Sequence, residues 1–219
     1  MKGMSHMRCR VIVPVQDPKL ALPRADLSPR IRSALVEAMA KDTLRVLAAS
    51  RSVHSIVVVS PTQSVASLAM DVGAEFVLSE SGTGINDAVT NAFRRTRLPS
   101  DQLIAAVAAD LPAIRTDEVD EFLGWASRSR DAVHLTDFGG VGVTCHAERA
   151  ASFTPCLAPD PALRRRPRGA DANALLPGAR CDVDTIEGLR VAAFMGVGPS
   201  TSAVMRALPG FARRQEQLA

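Results

Sequence analysis

Apolar residues in this chain fall into short unbroken runs, separated by longer stretches where they recur at helical spacing. The most telling run, Leu103-Ile104-Ala105-Ala106-Val107-Ala108-Ala109, stops on Asp110, with Pro112 two places on. A run that is apolar at every position fits a strand buried on both faces, as parallel sheets require. Residues 9–15, 55–60 and 74–78 read as three earlier strands. Ser28 and Pro29 suit the N-cap and first position of a long helix reaching residue 49. Further helices are expected at 62–72, ended by Gly73, at 84–95, and at 116–127. The last of these is capped by Thr116, with Asp117 and Glu118 at its positive end.

Strands alternating with helices of roughly ten or more residues predict an α/β fold with a doubly wound, mostly parallel sheet. Beyond residue 130 the pattern loosens. Residues 134–136 and 141–144 flank a turn or wide loop at 137–140. Residues 155–169 hold four prolines and the run Arg164-Arg165-Arg166-Pro167-Arg168, an irregular insertion read as an exposed loop or lid. Residues 180–184 read as extended, followed by a helix from Thr185 and a last one near 200–208. Residues 8–212 are expected to form one domain, with 1–7 and 213–219 as flexible ends.

A buried strand has no use for Asp110, but the carboxyl ends of strands in open α/β sheets are where ligands sit. Asp110 is therefore a candidate metal ligand for a phosphorylated substrate. A turn or helix-capping aspartate fits this one segment equally well. The second acidic site is Arg180-Cys181-Asp182-Val183-Asp184-Thr185. In an extended segment Asp182 and Asp184 share a face. Asp184, with Glu187 three places on, also matches a capping box, the role favoured for it. Asp182 has no such structural use. Asp110 and Asp182 together could hold magnesium across substrate phosphates.

The loop after the first strand carries Gln16, Lys19 and Arg24 at the same sheet edge as Asp110. Its cations could meet a triphosphate, or simply be solvated. With no glycine it is not a P-loop. Gly82-Thr83-Gly84-Ile85-Asn86 precedes a helix and could approach a base or ribose.

Composition narrows the field. A chain of 219 residues, 47% of them hydrophobic, can bury a full core. It has no Tyr and one Trp, Trp125, which disfavours a sugar-stacking groove. A net charge of +3 supports no nucleic-acid or membrane role. The arginine run at 164–168 lacks the interleaved aromatics of a single-strand site. Four scattered cysteines suit reduced thiols in the cytoplasm rather than a disulfide framework or a zinc site. No signal peptide or spanning segment is visible.

Together these segments resemble the guanylyltransferases of deazaflavin-coenzyme (factor 420) biosynthesis. The resemblance rests most on Ala109-Asp110-Leu111-Pro112-Ala113, on Arg180–Thr185, on Gly196-Val197-Gly198-Pro199-Ser200-Thr201-Ser202-Ala203, and on the helix ending Ala38-Met39-Ala40-Lys41-Asp42-Thr43-Leu44. It implies a nucleotidyltransferase (Rossmann-like) fold and transfer of GMP from GTP to a small phosphorylated acid. It also implies Mg²⁺ on Asp110 and Asp182, and a nucleotide-side segment that includes Gly84 and Asn86. Gln16 stands where the family has a lysine, with Lys19 and Arg24 as its replacements. On the acceptor side, Val143 (beside Thr144), Ala158 and Pro161 replace the family's threonine, glycine and serine.

A phosphate monoester has its second pKa near ~6, so it is already a dianionic nucleophile at neutral pH and needs no general base. The retained aspartates and rewritten acceptor side favour 3-phospho-D-glycerate over phosphoenolpyruvate and 2-phospholactate, with Thr144 or the Cys145 thiol facing its extra hydroxyl. The resemblance further implies a downstream deazaflavin transferase as partner, and the apolar stretch 191–195 suits a homodimer. The competing readings are a molybdenum-cofactor or sugar-phosphate nucleotidyltransferase, and a non-catalytic nucleotide-binding relative.

Overall fold

The structure is a computed structural model that describes residues 9–19, 22, 27–158, 170–171, 176–208 and 211. Seven strands form one sheet: β1 (Cys9–Pro14), β2 (Val53–Ser60), β3 (Glu75–Leu78), β4 (Leu103–Val107), β5 (Val133–Thr136), β6 (Val143–Arg149) and β7 (Ala170–Asp171). Their spatial order is β3-β2-β1-β4-β6-β5-β7. Strands β3, β2, β1 and β4 run parallel, while β6 lies antiparallel to both β4 and β5. The expected doubly wound sheet is therefore present, with a hairpin inserted on one side.

The apolar runs are continuous because both faces of the sheet are covered. Val11, Val13, Leu103, Ala105 and Val107 pack on one face with helices α1 (Pro29–Ala49) and α4 (Thr116–Arg128). Ile12, Val57, Ile104 and Ala106 pack on the other with α3 (Ile85–Arg95) and Phe153. Helix α2 (Ala66–Met70) follows a single 3₁₀ turn at Gln63–Val65, so the expected 62–72 helix is split. Gly73 ends that region with φ +70°, a conformation that favours glycine. The first half of α1 enters a further core with helices α6 (Ile186–Met195) and α7 (Pro199–Arg206), through Leu35, Val36, Met39, Leu189 and Met205.

Several local expectations change. Strand β4 ends at Val107, so Asp110 lies three residues beyond it. The N-cap of α4 is Arg115, not Thr116; Glu118 reaches back to accept the Arg115 N–H at 2.9 Å. Residues 177–180 form a short helix, α5 (Pro177–Arg180), and 181–184 belong to no strand. The cap of α6 is Thr185, whose hydroxyl accepts the Gly188 N–H at 3.1 Å. Asp184 is thus released from the capping role expected of it. Val191 and Phe194 of α6 are exposed, Phe194 by 94%. The 164–168 arginines and the termini 1–7 and 213–219 lie outside the described residues.

Candidate active site

The sheet order places β1 beside β4, with the chain winding outward in opposite directions from that pair. Such a switch point leaves a crevice beyond the strand ends. A cavity of about 660 Å³ opens there, lined by Pro14, Val15 and Gln16 after β1 and by Ala108, Ala109 and Asp110 after β4. Asp182 and Asp184 line it too, with Asp137, Val143 and Thr144 of the β5–β6 hairpin and with Leu157 and Ala158.

Three motifs far apart in sequence meet at the turn after β4. The Ala109 carbonyl accepts from the Thr43 hydroxyl at 3.1 Å. The Asp110 carbonyl accepts the Val183 N–H at 3.1 Å, and the Pro112 carbonyl accepts the Gly198 N–H at 2.9 Å. The bond to Val183 sets the flanking Asp182 and Asp184 beside Asp110. Helix α7 begins at this junction with a borrowed cap. Its Ser200 and Thr201 N–H groups donate to the buried Asp42 carboxylate of α1 at 3.0 and 2.7 Å. Gly198 cannot carry a side chain, because a Cβ there would overlap the Asp42 carboxyl group.

A second clamp aims Asp182. The buried Glu118 carboxylate accepts the Gly178 N–H at 2.8 Å, four residues before it. Gly178 packs so tightly that a Cβ would overlap the Ala113 carbonyl. Arg180 donates to the Thr136 carbonyl at 2.8 Å and the Asp137 carbonyl at 3.0 Å, tying the hairpin turn to the Asp182 segment.

These constraints crowd negative charge. Asp110 Oδ1 is buried and has no hydrogen-bond partner among the described residues. Burial, then Asp182 and Asp184, push the Asp110 carboxyl up to about 7. Burial, then Asp184 and Asp137, push Asp182 up to about 6. A carboxylate oxygen left without a partner among clustered carboxylates can be compensated by a bound cation. Among the described residues, no three His, Cys, Asp or Glu side chains form a cage of their own. Paired carboxylates opening on a cavity instead suit a hard divalent cation that keeps part of its water shell and binds phosphates.

The hairpin side is built differently. Leu135 pairs with Cys145 and Thr136 with Val143, so Thr144 is an extra residue, a bulge. It re-aims the strand, as bulges beside active sites do. Cys145 packs in the core under α1 and α4, whereas Val143 joins the opposite core and lines the cavity.

Residues 9–146 match the family described as "Guanylyl transferase CofC like". The chain is 37% identical over 197 residues to phosphoenolpyruvate guanylyltransferase 2 of Rhodococcus jostii, covering 89% of each chain. It is 32% identical over 186 residues to the phosphoenolpyruvate guanylyltransferase of Mycobacterium marinum, covering 81% and 83%. The chain belongs to the CofC-like guanylyl transferase family. It is accordingly a nucleotidyltransferase enzyme. The fold agrees with a nucleotide-diphospho-sugar transferase from Desulfovibrio desulfuricans (TM-score 0.63, 18% identity, 94% and 97% coverage). It also agrees with a nucleotidyl transferase from Methanothermobacter (TM-score 0.59, 14% identity, 86% and 97% coverage).

In this guanylyl transferase, the sequence-predicted residues Gln16, Asp110, Asp182, Val143, Thr144 and Ala158 share one cavity. Lys19 and Asn86 are not among the residues lining it; Lys19 is exposed, its N–H donating to Asp17 Oδ1 at 3.0 Å. Gly84 caps α3 behind Ile85, which does line the cavity. The Cys145 thiol cannot face an acceptor hydroxyl, because the bulge leaves it on the far side of the sheet, where burial holds it protonated. Thr144 donates to the Leu135 carbonyl at 3.4 Å. Arg24 and Pro161 lie outside the described residues. Sequence reasoning missed Asp137, because a turn aspartate carries no distinguishing local signal. It also missed Glu118 and Asp42 as clamps, since both act on partners remote in sequence.

Proposed function

We propose that this enzyme transfers GMP from GTP to a small phosphorylated three-carbon acid, releasing pyrophosphate, in deazaflavin coenzyme biosynthesis. The observation that carries the reading is the Asp110–Asp182 pair, two half-buried carboxylates opening on the switch-point cavity, with Asp110 Oδ1 buried and unpartnered among the described residues. Asp110 and Asp182 would hold Mg²⁺, which when bound neutralises charge on the phosphates. Gln16 edges the same cavity, and Lys19 stands on the same loop to meet the triphosphate. The apolar wall of Leu22, Val36 and Met39 limits water there. The acceptor phosphate is already dianionic, so the residues need only align it with the α-phosphorus. No proton has to be taken from it. The product, a mixed phosphoric anhydride, would pass to a transferase that joins the acid to a deazaflavin.

For the acceptor, 3-phospho-D-glycerate is proposed, because Val143 and Ala158 line the cavity where the family places a threonine and a glycine. A second reading, phosphoenolpyruvate, is favoured by the relatives from Rhodococcus and Mycobacterium, which are named phosphoenolpyruvate guanylyltransferases. The test is pyrophosphate release with GTP, ATP or CTP, with and without magnesium, against equal concentrations of the three acids. Release that needs GTP, magnesium and one acid is expected. Release with GTP and no acid, or none with any acid, sinks the reading.

A further inference from the structure

Asn86 stands second in helix α3, where a polar residue would ordinarily serve its own helix end. Its side chain does something else. Asn86 Oδ1 accepts the N–H groups of Leu157 and Ala158 at 2.8 and 3.2 Å, and Asn86 Nδ2 donates to the Ala158 carbonyl at 2.9 Å. The Leu157 carbonyl accepts the Val143 N–H at 3.4 Å. All four backbone polar groups of Leu157–Ala158 are thereby satisfied, three of them by one side chain 71 or 72 positions away. Leu157 and Ala158 both line the cavity, beside Val143.

We infer that Asn86 is a positioning residue for acceptor specificity: it fixes the Leu157–Ala158 wall of the cavity by imitating a paired strand. An amide suits the task because it presents an acceptor and a donor side by side, matching the N–H and C=O edge of an extended chain. Asp would keep the accepted bonds but turn an anionic oxygen on the Ala158 carbonyl. Ala would leave two N–H groups and a carbonyl without their partner, a costly state where water is scarce. The clamp touches neither Asp110 nor Asp182, so its loss should fall on the acceptor and spare the nucleotide.

The inference rests on the proposed transfer to a phosphorylated acid, and two readouts keep the failures apart. In turnover assays, Asn86→Ala should raise the acceptor KM about 10-fold or more, while the GTP KM stays within about twofold. Asn86→Asp should act in the same direction, and it serves if the alanine variant does not fold. Separately, hydrogen exchange at the Leu157 and Ala158 amides should quicken about 10-fold or more in either variant. That measurement needs no substrate, so a wild type inactive with every acid would end the functional reading while leaving the clamp tested. A rise in GTP KM with the acceptor KM unchanged would overturn the inference and make Asn86 a nucleotide contact. Unaltered exchange at both amides would overturn it as well.

Discussion

The Asp110 and Pro112 carbonyls after β4 are held by main-chain bonds, whereas the Leu157–Ala158 wall is held chiefly by one side chain. At the first, the Asp110 and Pro112 carbonyls receive backbone N–H groups from Val183 and Gly198. At the second, Asn86 makes three of the four bonds to Leu157 and Ala158; beside it the Asp137 carboxylate accepts the Val141 and Gly142 N–H groups at 3.0 and 2.7 Å, and Arg180 ties down the hairpin turn. Main-chain bonds survive most substitutions, because every residue but proline offers the same donor and acceptor. Side-chain ties change whenever their residue changes. A fold divided in this way can keep its carboxylates fixed while the opposite wall of the cavity is altered by few substitutions.

The comparison breaks hardest at Asp110. Asp110→Asn or Asp182→Asn should lower turnover by about 10³-fold or more, since metal-borne stabilisation of phosphoryl charge is worth several kcal/mol. Pyrophosphate release measures it, and near-normal rates in both variants would dismiss the carboxylate pair. Stability should move the other way. An unfolded aspartate ionises near ~3.9, whereas Asp110 in the metal-free fold ionises at about 7. The folded state holds that proton more tightly, so the contribution is full below about pH 4 and is lost as pH rises to about 7. Thermal melts of chelated protein should show this decline, with Asp110→Asn reducing it. A pH-independent difference between the two proteins would contradict the crowded-charge account.

Gly178 tests whether the rigid side needs its close approaches. Gly178→Ala forces a methyl group against the Ala113 carbonyl and the Glu118 carboxylate. Overpacking of this kind costs about 1–3 kcal/mol, a loss of roughly 2–12 °C in a chain of this size. Turnover should fall too, because Asp182 follows four residues later. A variant with unchanged melting and rate would show that the Glu118 clamp is dispensable.

The difference between the two sides also decided what the sequence could disclose. Continuous apolar runs announced β1, β2 and β4, because burial on both faces leaves a one-dimensional trace. Asp110 was legible as a carboxylate ending such a run, and Asp182 as one with no helix to cap. Asp184 was misread because Asp184 and Thr185 are both good caps, and only backbone geometry chooses between them. The hairpin side was harder. The Thr144 bulge shifts register by one residue, which reverses the faces of Val143 and Cys145 relative to simple alternation. Asn86, Arg180 and Asp137 act through backbone groups, and a backbone group has no sequence signature.

Val143→Thr would sharpen the contrast by placing at the hairpin wall the threonine that the family resemblance implies. Val143 is buried at the cavity wall, so the added hydroxyl should cost about 1 kcal/mol of stability. Selectivity, as the ratio of kcat/KM values, should shift by about 10-fold toward phosphoenolpyruvate or 2-phospholactate over 3-phosphoglycerate. Competition between the three acids reads it out. A shift in GTP use instead would mean that the wall serves the nucleotide.

The smallest effect is expected at Lys19, which belongs to neither rigid side. It is exposed, and among the described residues its ammonium has no hydrogen-bond or ion-pair partner. In water-like surroundings a contact between unit charges is worth about 1 kcal/mol, so Lys19→Ala should raise the GTP KM about fivefold and leave kcat nearly unchanged. The increment should shrink at high salt, because an exposed pair is screened. Lys19→Arg should recover part of it, since a planar fork does not reproduce a point charge. If the GTP KM is unmoved at low salt, Lys19 is a solvated loop cation. The triphosphate contact would then fall to another residue of the β1–α1 loop, with Arg24 the first to substitute. A loss as large as that of Asp110→Asn would be the more instructive failure, because it would place Lys19 inside the closed site and make the loop part of the rigid end.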